Sequence, residues 1–371
     1  MSRVFFVAGE TSGDIHGANL IRALNELEPS INCVGLGGKQ MAAAGMELRY
    51  DLAAQAIMGF SEVVRALPRI RRVFNETVDY VQDTRPDCLV AIDYPGFNLR
   101  LAKQATKLGI PVVYYISPQV WAWKRGRIKT IAKLIRKMLV ILPFEEKMYR
   151  EAGVNCVYVG HPLLDHIPLV PTTTDFRDEC VVGLLPGSRA QEIDRLLGVM
   201  LDVAHGIREH YPRARFVAPC VDADRASQIK AEAGDLPLET AIGKTYDVLR
   251  AARFCLVASG TATLETALFG VPMVILYKLS PVNYWIARRL VQVDHIGMVN
   301  ILAGRRIVPE FVQHEACRDR VLPKALELLA DSPARDQMLR DLTDVRATLG
   351  APGASRRAAK EILEVVKAAH A

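Results

Sequence analysis

Short apolar runs alternate with helical patterns along this chain, and that alternation limits the fold more than any other feature. The runs fall at residues 4–8, 33–36, 88–92, 112–116, 138–142 and 156–159 in the first half, and at 181–185, 216–218, 254–258 and 273–277 in the second. Strands without polar alternation are buried on both faces, so the pattern predicts parallel sheets covered by helices, an α/β fold. The segment 162–175, with three prolines and a run of three threonines, reads as a linker between two such domains of similar size. From Glu315 onward the pattern is helical, at 321–330, 334–349 and 354–369.

The 371 residues suffice for two cores. The 47 Lys and Arg against 41 Asp and Glu leave a net charge of +6. That suits an anionic substrate or membrane surface and is too weak to argue for nucleic acid. Seven scattered cysteines, none in a C-x-x-C pair, argue against a disulfide framework or a zinc site. The chain enters a strand-like run at once with no signal-peptide pattern, and no apolar run reaches the length of a membrane span. The expectation is a cytoplasmic protein, soluble or peripheral.

In open α/β sheets ligands bind beyond the carboxyl ends of the strands. The run ending at Ala258 passes into Ser259-Gly260-Thr261-Ala262-Thr263-Leu264-Glu265. Small residues at a helix start let backbone N–H groups approach phosphate oxygens, and Glu265, one turn on, is placed to accept from a ribose. The run at 181–185 leads into Pro186-Gly187-Ser188-Arg189. It lacks the Gly-Lys-Ser/Thr end of a P-loop, so NTP hydrolysis is not indicated. Arg189 at a helix start is a bidentate phosphate ligand by geometry and charge, against the plainer reading of a surface Arg. Tyr277-Lys278 follows the next run. Lys278 suits a phosphate, and Asn300, Glu310 and Gln313 suit sugar hydroxyls; singly each is matched by the reading of an ordinary surface polar residue.

In the first half, Gly9-Glu10-Thr11-Ser12-Gly13-Asp14-Ile15-His16-Gly17 follows the opening run. The spacing is not G-x-G-x-x-G, which disfavours a dinucleotide. The density of polar groups points to a loop that receives a polar substrate, rather than a plain turn with an Asp cap. Gly35-Leu36-Gly37-Gly38 fits close backbone approach to a ligand or simple packing equally well. Asp93, just past the run at 88–92, reads as a general base or as a turn Asp, and its position favours the base. Trp121 and Trp123 beside Lys124, Arg125 and Arg127 fit a lipid head group, a sugar ring, or a core pair next to a solvated basic face. Met58, Phe60, Val63, Val64 and Leu67, interleaved with Arg65, Arg69, Arg71 and Arg72 and continued by Ile70, Val73 and Phe74, suit an anionic membrane or a domain helix with its apolar face in the core; Pro68 reads as a break. Asp222-Ala223-Asp224 matches a D-x-D metal pattern but reads as a structural loop, and the histidines show no metal spacing.

Together these pieces resemble the lipid-A-disaccharide synthase family. The matching pieces are Gly9-Glu10-Thr11-Ser12-Gly13-Asp14, Ile92-Asp93-Tyr94-Pro95, Ser117-Pro118-Gln119-Val120-Trp121-Ala122-Trp123, Leu185-Pro186-Gly187-Ser188-Arg189, Ser259 to Glu265, and Asn300-Ile301-Leu302 with Val308-Pro309-Glu310-Phe311-Val312-Gln313, in family order. The resemblance implies a GT-B glycosyltransferase with two Rossmann-like domains facing a cleft. Residues 1–165, completed by C-terminal helices at 345–371, would face acceptor and membrane; residues 166–344 would bind the UDP-sugar. It implies transfer from UDP-2,3-diacylglucosamine to 2,3-diacylglucosamine 1-phosphate (lipid X), with inversion, giving a β-1,6-linked disaccharide 1-phosphate and UDP. The reaction would run on the cytoplasmic face of the inner membrane, with no cofactor and no tightly bound metal. Some members exchange C-terminal helices within a homodimer.

With that family in view, Asp93 is the expected base, with His16 as the alternative. Arg189 and the helix start at Gly260-Thr261 would meet the leaving-group charge. Gly187, Ser188, Ser259, Glu265, Tyr277, Lys278, Asn300, Glu310 and Gln313 complete the expected donor site; Glu10, Ser12, Gly13 and Asp14 would meet the acceptor. Met58, Phe60, Val63, Val64, Arg65, Leu67, Arg69 and Arg72 would contact acyl chains and anionic lipid. A UDP-N-acetylglucosamine 2-epimerase or a non-catalytic nucleotide-sugar binder would share the architecture, but the basic amphipathic segment and the tryptophans weigh against both.

Overall fold

The computed structural model describes residues 2–53, 60–123, 125–165, 167, 180–290 and 294–370. The chain divides into two compact units, residues 1–166 with 349–371, and residues 167–348.

The first unit contains β1 (Arg3–Ala8), α1 (Thr11–Leu27), β2 (Asn32–Gly37), α2 (Lys39–Ala43), β3 (Glu47–Asp51), α3 (Phe60–Thr84), β4 (Cys88–Ile92), α4 (Pro95–Lys107), β5 (Val112–Tyr115), α5 (Val120–Trp123), α6 (Ile128–Leu134), β6 (Lys137–Val140), α7 (Pro143–Glu151) and β7 (Cys156–Tyr158). Its seven strands are parallel, in the order β3-β2-β1-β4-β5-β6-β7. Strand periodicity shows directly in β1. Val4, Phe6 and Ala8 pack with Leu20, Ile21 and Leu24 of α1, whereas Phe5 and Val7 pack with Val73 of α3 and Phe97 and Leu101 of α4. Burial on both faces requires the uninterrupted apolar runs seen in the sequence.

The second unit contains β8 (Val181–Leu185), α8 (Ala190–His210), β9 (Arg215–Cys220), α9 (Ala223–Glu232), β10 (Leu238–Ile242), α10 (Thr245–Ala251), β11 (Phe254–Ala258), α11 (Thr261–Leu268), β12 (Met273–Tyr277), α12 (Pro281–Leu290), α13 (Met298–Ala303), β13 (Glu310–Val312), α14 (Arg318–Leu329) and α15 (Pro333–Thr348). Its six parallel strands run β10-β9-β8-β11-β12-β13. The last helix, α16 (Ala354–Ala369), belongs to the first unit, where Ala358, Ala359 and Ile362 join the core beside α1. Asp165 anchors it: its carboxylate accepts from the N–H groups of Gly353 (2.6 Å), Ala354 (3.1 Å) and Ser355 (3.1 Å) and from the Ser355 hydroxyl (2.9 Å).

Two expectations need correction. Strands β3, β10 and β13 do not read as apolar runs in the sequence, and all three are sheet edges. An edge strand is half solvated, so its residues mix polar and apolar, as in Glu47-Leu48-Arg49-Tyr50-Asp51. Pro68 does not break its helix either; α3 runs through it. The proline lies on the exposed face of the helix, where its ring meets solvent rather than packed neighbours. Of the expected linker, Pro162–Asp165 forms a 3-10 turn of the first unit, and 168–175 lies outside the described residues. Asp222, the first carboxylate of the D-x-D, caps α9, accepting from the Arg225 N–H at 2.8 Å.

Candidate active site

In the first unit the candidate residues gather at the carboxyl ends of neighbouring strands: Glu10 to Asp14 after β1, Asp93 after β4 and Ser117 after β5. Asp93 and Tyr94 both adopt left-handed backbone, at φ 44° and 47°. Such positions cost about 1–3 kcal/mol each for residues other than glycine and persist only when neighbours over-determine them. Here the Asp93 N–H donates to the Tyr115 carbonyl (3.1 Å), and the Asp93 carbonyl accepts from the Asn98 amide (2.7 Å) and the Tyr114 hydroxyl (2.5 Å). The Tyr94 ring lies against Gly9, where any Cβ would overlap it, so the glycine makes room for the turn. Burial, reinforced by the negative charge of Glu10, pushes the Asp93 carboxyl up to about 6 despite a hydrogen bond from the Tyr94 N–H. A carboxylate that titrates there is suited to accept a proton near neutrality.

The other first-unit candidates divide. Glu10 is half-buried, Ser12 is exposed, and Gly13 packs on Ala8. His16 is half-buried, and its charge is felt at the buried His161, whose imidazole is held down to about 3, chiefly by burial. Asp14 is buried, and its oxygens accept from the N–H groups of Gly38 (2.8 Å), Gln40 (3.0 Å) and Met41 (3.0 Å). It therefore holds the start of α2. A Cβ on Gly38 would strike this carboxylate, and one on Gly35 would strike the β1 backbone, so those glycines are there for packing.

Sequence reasoning missed Glu145, in the first turn of α7 after β6. It is 1 % exposed, and one oxygen accepts from the Ser117 hydroxyl (2.5 Å) and the Trp121 indole N–H (3.0 Å). Burial pushes its carboxyl up to about 7, and the Asp93 charge adds to the effect. Trp121 is thus a core residue, packed edge-on against Phe144.

In the second unit, Pro186 to Arg189 follow β8, Ser259 to Thr261 follow β11, Tyr277 ends β12 with Lys278 just after it, and Gln313 follows β13, four adjacent strands. Gly187 sits at φ 118°, with the Glu192 side chain filling the space a Cβ would need. That carboxylate accepts from the N–H groups of Ser188 (3.1 Å) and Arg189 (3.4 Å) and from the Arg189 guanidinium (3.0 Å), so the turn already holds one anionic group. Gly260, at φ 157° with open space around it, leaves the start of α11 approachable. Glu265 is half-buried, accepts from the Tyr246 hydroxyl (3.3 Å), and has its pKa raised by burial.

Three candidates spend their polar atoms on the chain itself. Glu310 accepts from the N–H groups of Ile296 (3.0 Å) and Gly297 (2.8 Å) and from the Asn300 amide (2.7 Å). The Asn300 carbonyl oxygen accepts from Ile307 and Val308, and Gln313 exchanges two hydrogen bonds with the Leu279 backbone. Of the three, Gln313 lines a cavity of about 720 Å³ that is also bounded by Lys278, Leu279, Tyr284, Trp285 and Arg195.

The apolar series on α3 splits in two. Val73 is buried and Phe74 packs edge-on against Phe97 at 5.3 Å, so this part is core. Leu67 is 50 % exposed, and Arg69, Arg71 and Arg72 point to solvent. Arg69 donates to the Tyr50 hydroxyl (2.8 Å) and Arg72 pairs with Glu76. Met58 lies outside the described residues, as do the side chains of Phe60, Val63, Val64 and Arg65. Among the described residues no helix is long and apolar enough to cross a membrane.

Residues 4–364 match the Lipid-A-disaccharide synthetase family. The chain is 44 % identical to the lipid-A-disaccharide synthase of Syntrophus aciditrophicus, with 98 % of each covered, and 40 % identical to that of Myxococcus xanthus, with 98 % of this chain and 97 % of the relative covered. Among solved structures it is similar in fold to an S. aureus MnaA–UDP co-structure (TM-score 0.68, 13 % identity, 99 % and 97 % covered) and to the glycotransferase of kitacinnamycin (TM-score 0.64, 17 % identity, 98 % of each covered). The two Rossmann-like parallel-sheet units are those of a GT-B glycosyltransferase, and the chain belongs to the lipid-A-disaccharide synthetase family, enzymes of lipid A biosynthesis.

Proposed function

We propose that the chain transfers diacylglucosamine from UDP-2,3-diacylglucosamine to the 6-hydroxyl of 2,3-diacylglucosamine 1-phosphate, with inversion, releasing UDP. The first unit binds the acceptor and the second the donor. Inversion is one in-line displacement: the acceptor oxygen bonds to C1 as the C1–phosphate bond breaks, and the acceptor proton passes to Asp93. The observation that supports this reading most directly is Asp93 itself, held on a clamped turn with its carboxyl raised to about 6. His16 is the alternative base. Arg189 and the N–H groups opening α11 meet the charge growing on UDP, a role that needs no metal. Glu265 holds the ribose and Lys278 a phosphate, while Gln313 shapes the donor wall and Asn300 and Glu310 act by fixing the backbone at 296–297 and 307–308. Asp14 likewise fixes the acceptor loop that carries Glu10 and Ser12.

Both substrates carry acyl chains, so catalysis takes place at a bilayer. The exposed part of α3 supplies the docking face: apolar side chains there gain roughly 25 cal/mol per Å² buried, and each arginine adds about 1 kcal/mol near anionic lipid. The enzyme works at the cytoplasmic face of the inner membrane, and a helix-exchanged homodimer is compatible with the family.

The test is an assay of purified protein with both lipids, following disaccharide and UDP. Asp93→Asn should abolish turnover under saturating donor and acceptor; near-normal turnover would transfer the base role to His16. Phe60→Ser/Val64→Ser protein should float less with anionic liposomes while binding UDP normally.

A further inference from the structure

Behind the acceptor half-site lies a buried acid that no role above uses. Glu145 spends one oxygen on Ser117 and Trp121, while its other oxygen is buried with no hydrogen-bond partner. The segment it grips is strained: Ile116, a β-branched residue, sits at φ 62° immediately before Ser117. The Ile116 N–H donates to Leu139 (3.0 Å), and the Tyr149 hydroxyl donates to the Pro118 carbonyl (3.2 Å). Glu145 therefore supplies two of the anchors that keep a costly backbone in place, one strand over from Asp93.

We propose that Glu145 is a positioning residue that acts as a neutral carboxylic acid. It fixes the Ser117–Trp121 segment against the Asp93 turn and carries its proton on the unpartnered oxygen. An ionised carboxylate with one bare buried oxygen would bear the full desolvation cost of its charge, and the protonated acid avoids it. Burial outweighs the hydrogen bonds from Ser117, Trp121 and the Leu142 backbone, which favour the charged form. Tyr149 and Cys156 have their pKa values raised by burial, and the one charge that acts on Glu145 among the described residues is that of Asp93, of the same sign. A second negative charge here would draw Glu145 toward water and release Ser117 and Trp121.

The inference rests on Asp93 as base, and three variants separate the two ideas. Glu145→Gln keeps the acceptor oxygen and the neutrality, so its kcat should stay within about two-fold of the wild type, and it should hold that rate to higher pH, whereas wild-type kcat falls on the alkaline side of neutrality. Glu145→Ala leaves both donors unpaired and should lower kcat about 10- to 100-fold with donor KM unchanged. If Glu145→Gln is as impaired as Glu145→Ala, the charge or proton is used directly and the neutral-acid assignment fails. If Glu145→Ala loses thermal stability alone, with kcat and its pH profile intact, the positioning role fails. Failure of the base reading shows separately, as turnover by Asp93→Asn.

Discussion

The Tyr114 hydroxyl donates to the main-chain carbonyl of Asp93 at 2.5 Å, from the adjacent strand. The bond fixes the backbone of the proposed base while leaving its carboxylate free to exchange a proton. Burial raises the Tyr114 pKa well above its usual value, so the hydroxyl stays a donor at every working pH. Tyr114→Phe should relax the left-handed turn, leaving the Asp93 carbonyl with the Asn98 amide as its donor and costing about 0.5–1.5 kcal/mol of stability for the lost hydrogen bond. In the disaccharide assay kcat should fall while the UDP-sugar KM holds. A donor KM that rises with an unchanged kcat would show that the bond serves folding only.

Asp93 also sets a pH dependence. With its carboxyl raised to about 6, kcat/KM should fall below that pH as the base takes up a proton. The effect on stability has the opposite sign. The folded state holds this proton more tightly than the unfolded chain, so the protein loses stability as pH rises from about 4 through about 6. At pH 7 the buried charge costs up to about 3 kcal/mol. Asp93→Asn should therefore melt higher than the wild type at pH 8 and at nearly the same temperature at pH 4. Calorimetry at the two pH values checks this, and equal shifts at both would refute the burial argument.

Much of this was legible in the sequence. The central strands of both sheets are buried on both faces and must be written as apolar runs, so they could be read directly. Asp93 could be found by position, as the first polar residue past such a run. Asp14, Asn300 and Glu310 were equally visible as polar groups near strand ends, but not the direction of their side chains, which turn back to cap the chain. Glu145 was invisible for another reason: its partners Ser117 and Trp121 lie 28 and 24 residues away, brought to it only by the sheet.

Arg189 is exposed, and its guanidinium rests on Glu192 at 3.0 Å. A diphosphate would replace that carboxylate with a stronger, bidentate partner. Arg189→Ala should weaken UDP binding about 10- to 100-fold and lower kcat, because leaving-group charge is greatest in the transition state. Arg189→Lys should recover only part of this, since an ammonium is a compact point charge without the planar fork that matches two oxygens. Isothermal titration with UDP decides it; full rescue by lysine would mean that charge alone matters.

The Asp165 carboxylate is the fourth test, because it ties α16 to the first unit through three backbone N–H groups and the Ser355 hydroxyl. A helix N-terminus bound to an acid gains from both the hydrogen bonds and the dipole. Asp165→Ala should cost about 1–3 kcal/mol, felt in the first unit. Asp165→Asn should cost less, since it retains one acceptor oxygen. Removal of residues 349–371 should be far worse, because Ala358, Ala359 and Ile362 cover a core face that would otherwise meet water. Hydrogen exchange measured strand by strand would separate the units: β1, β2 and β4 should lose protection in the truncated protein while β8 and β11 keep theirs. Loss of protection in both sheets together would show that the two units fold as one, and would overturn the assignment of α16 to the first unit alone.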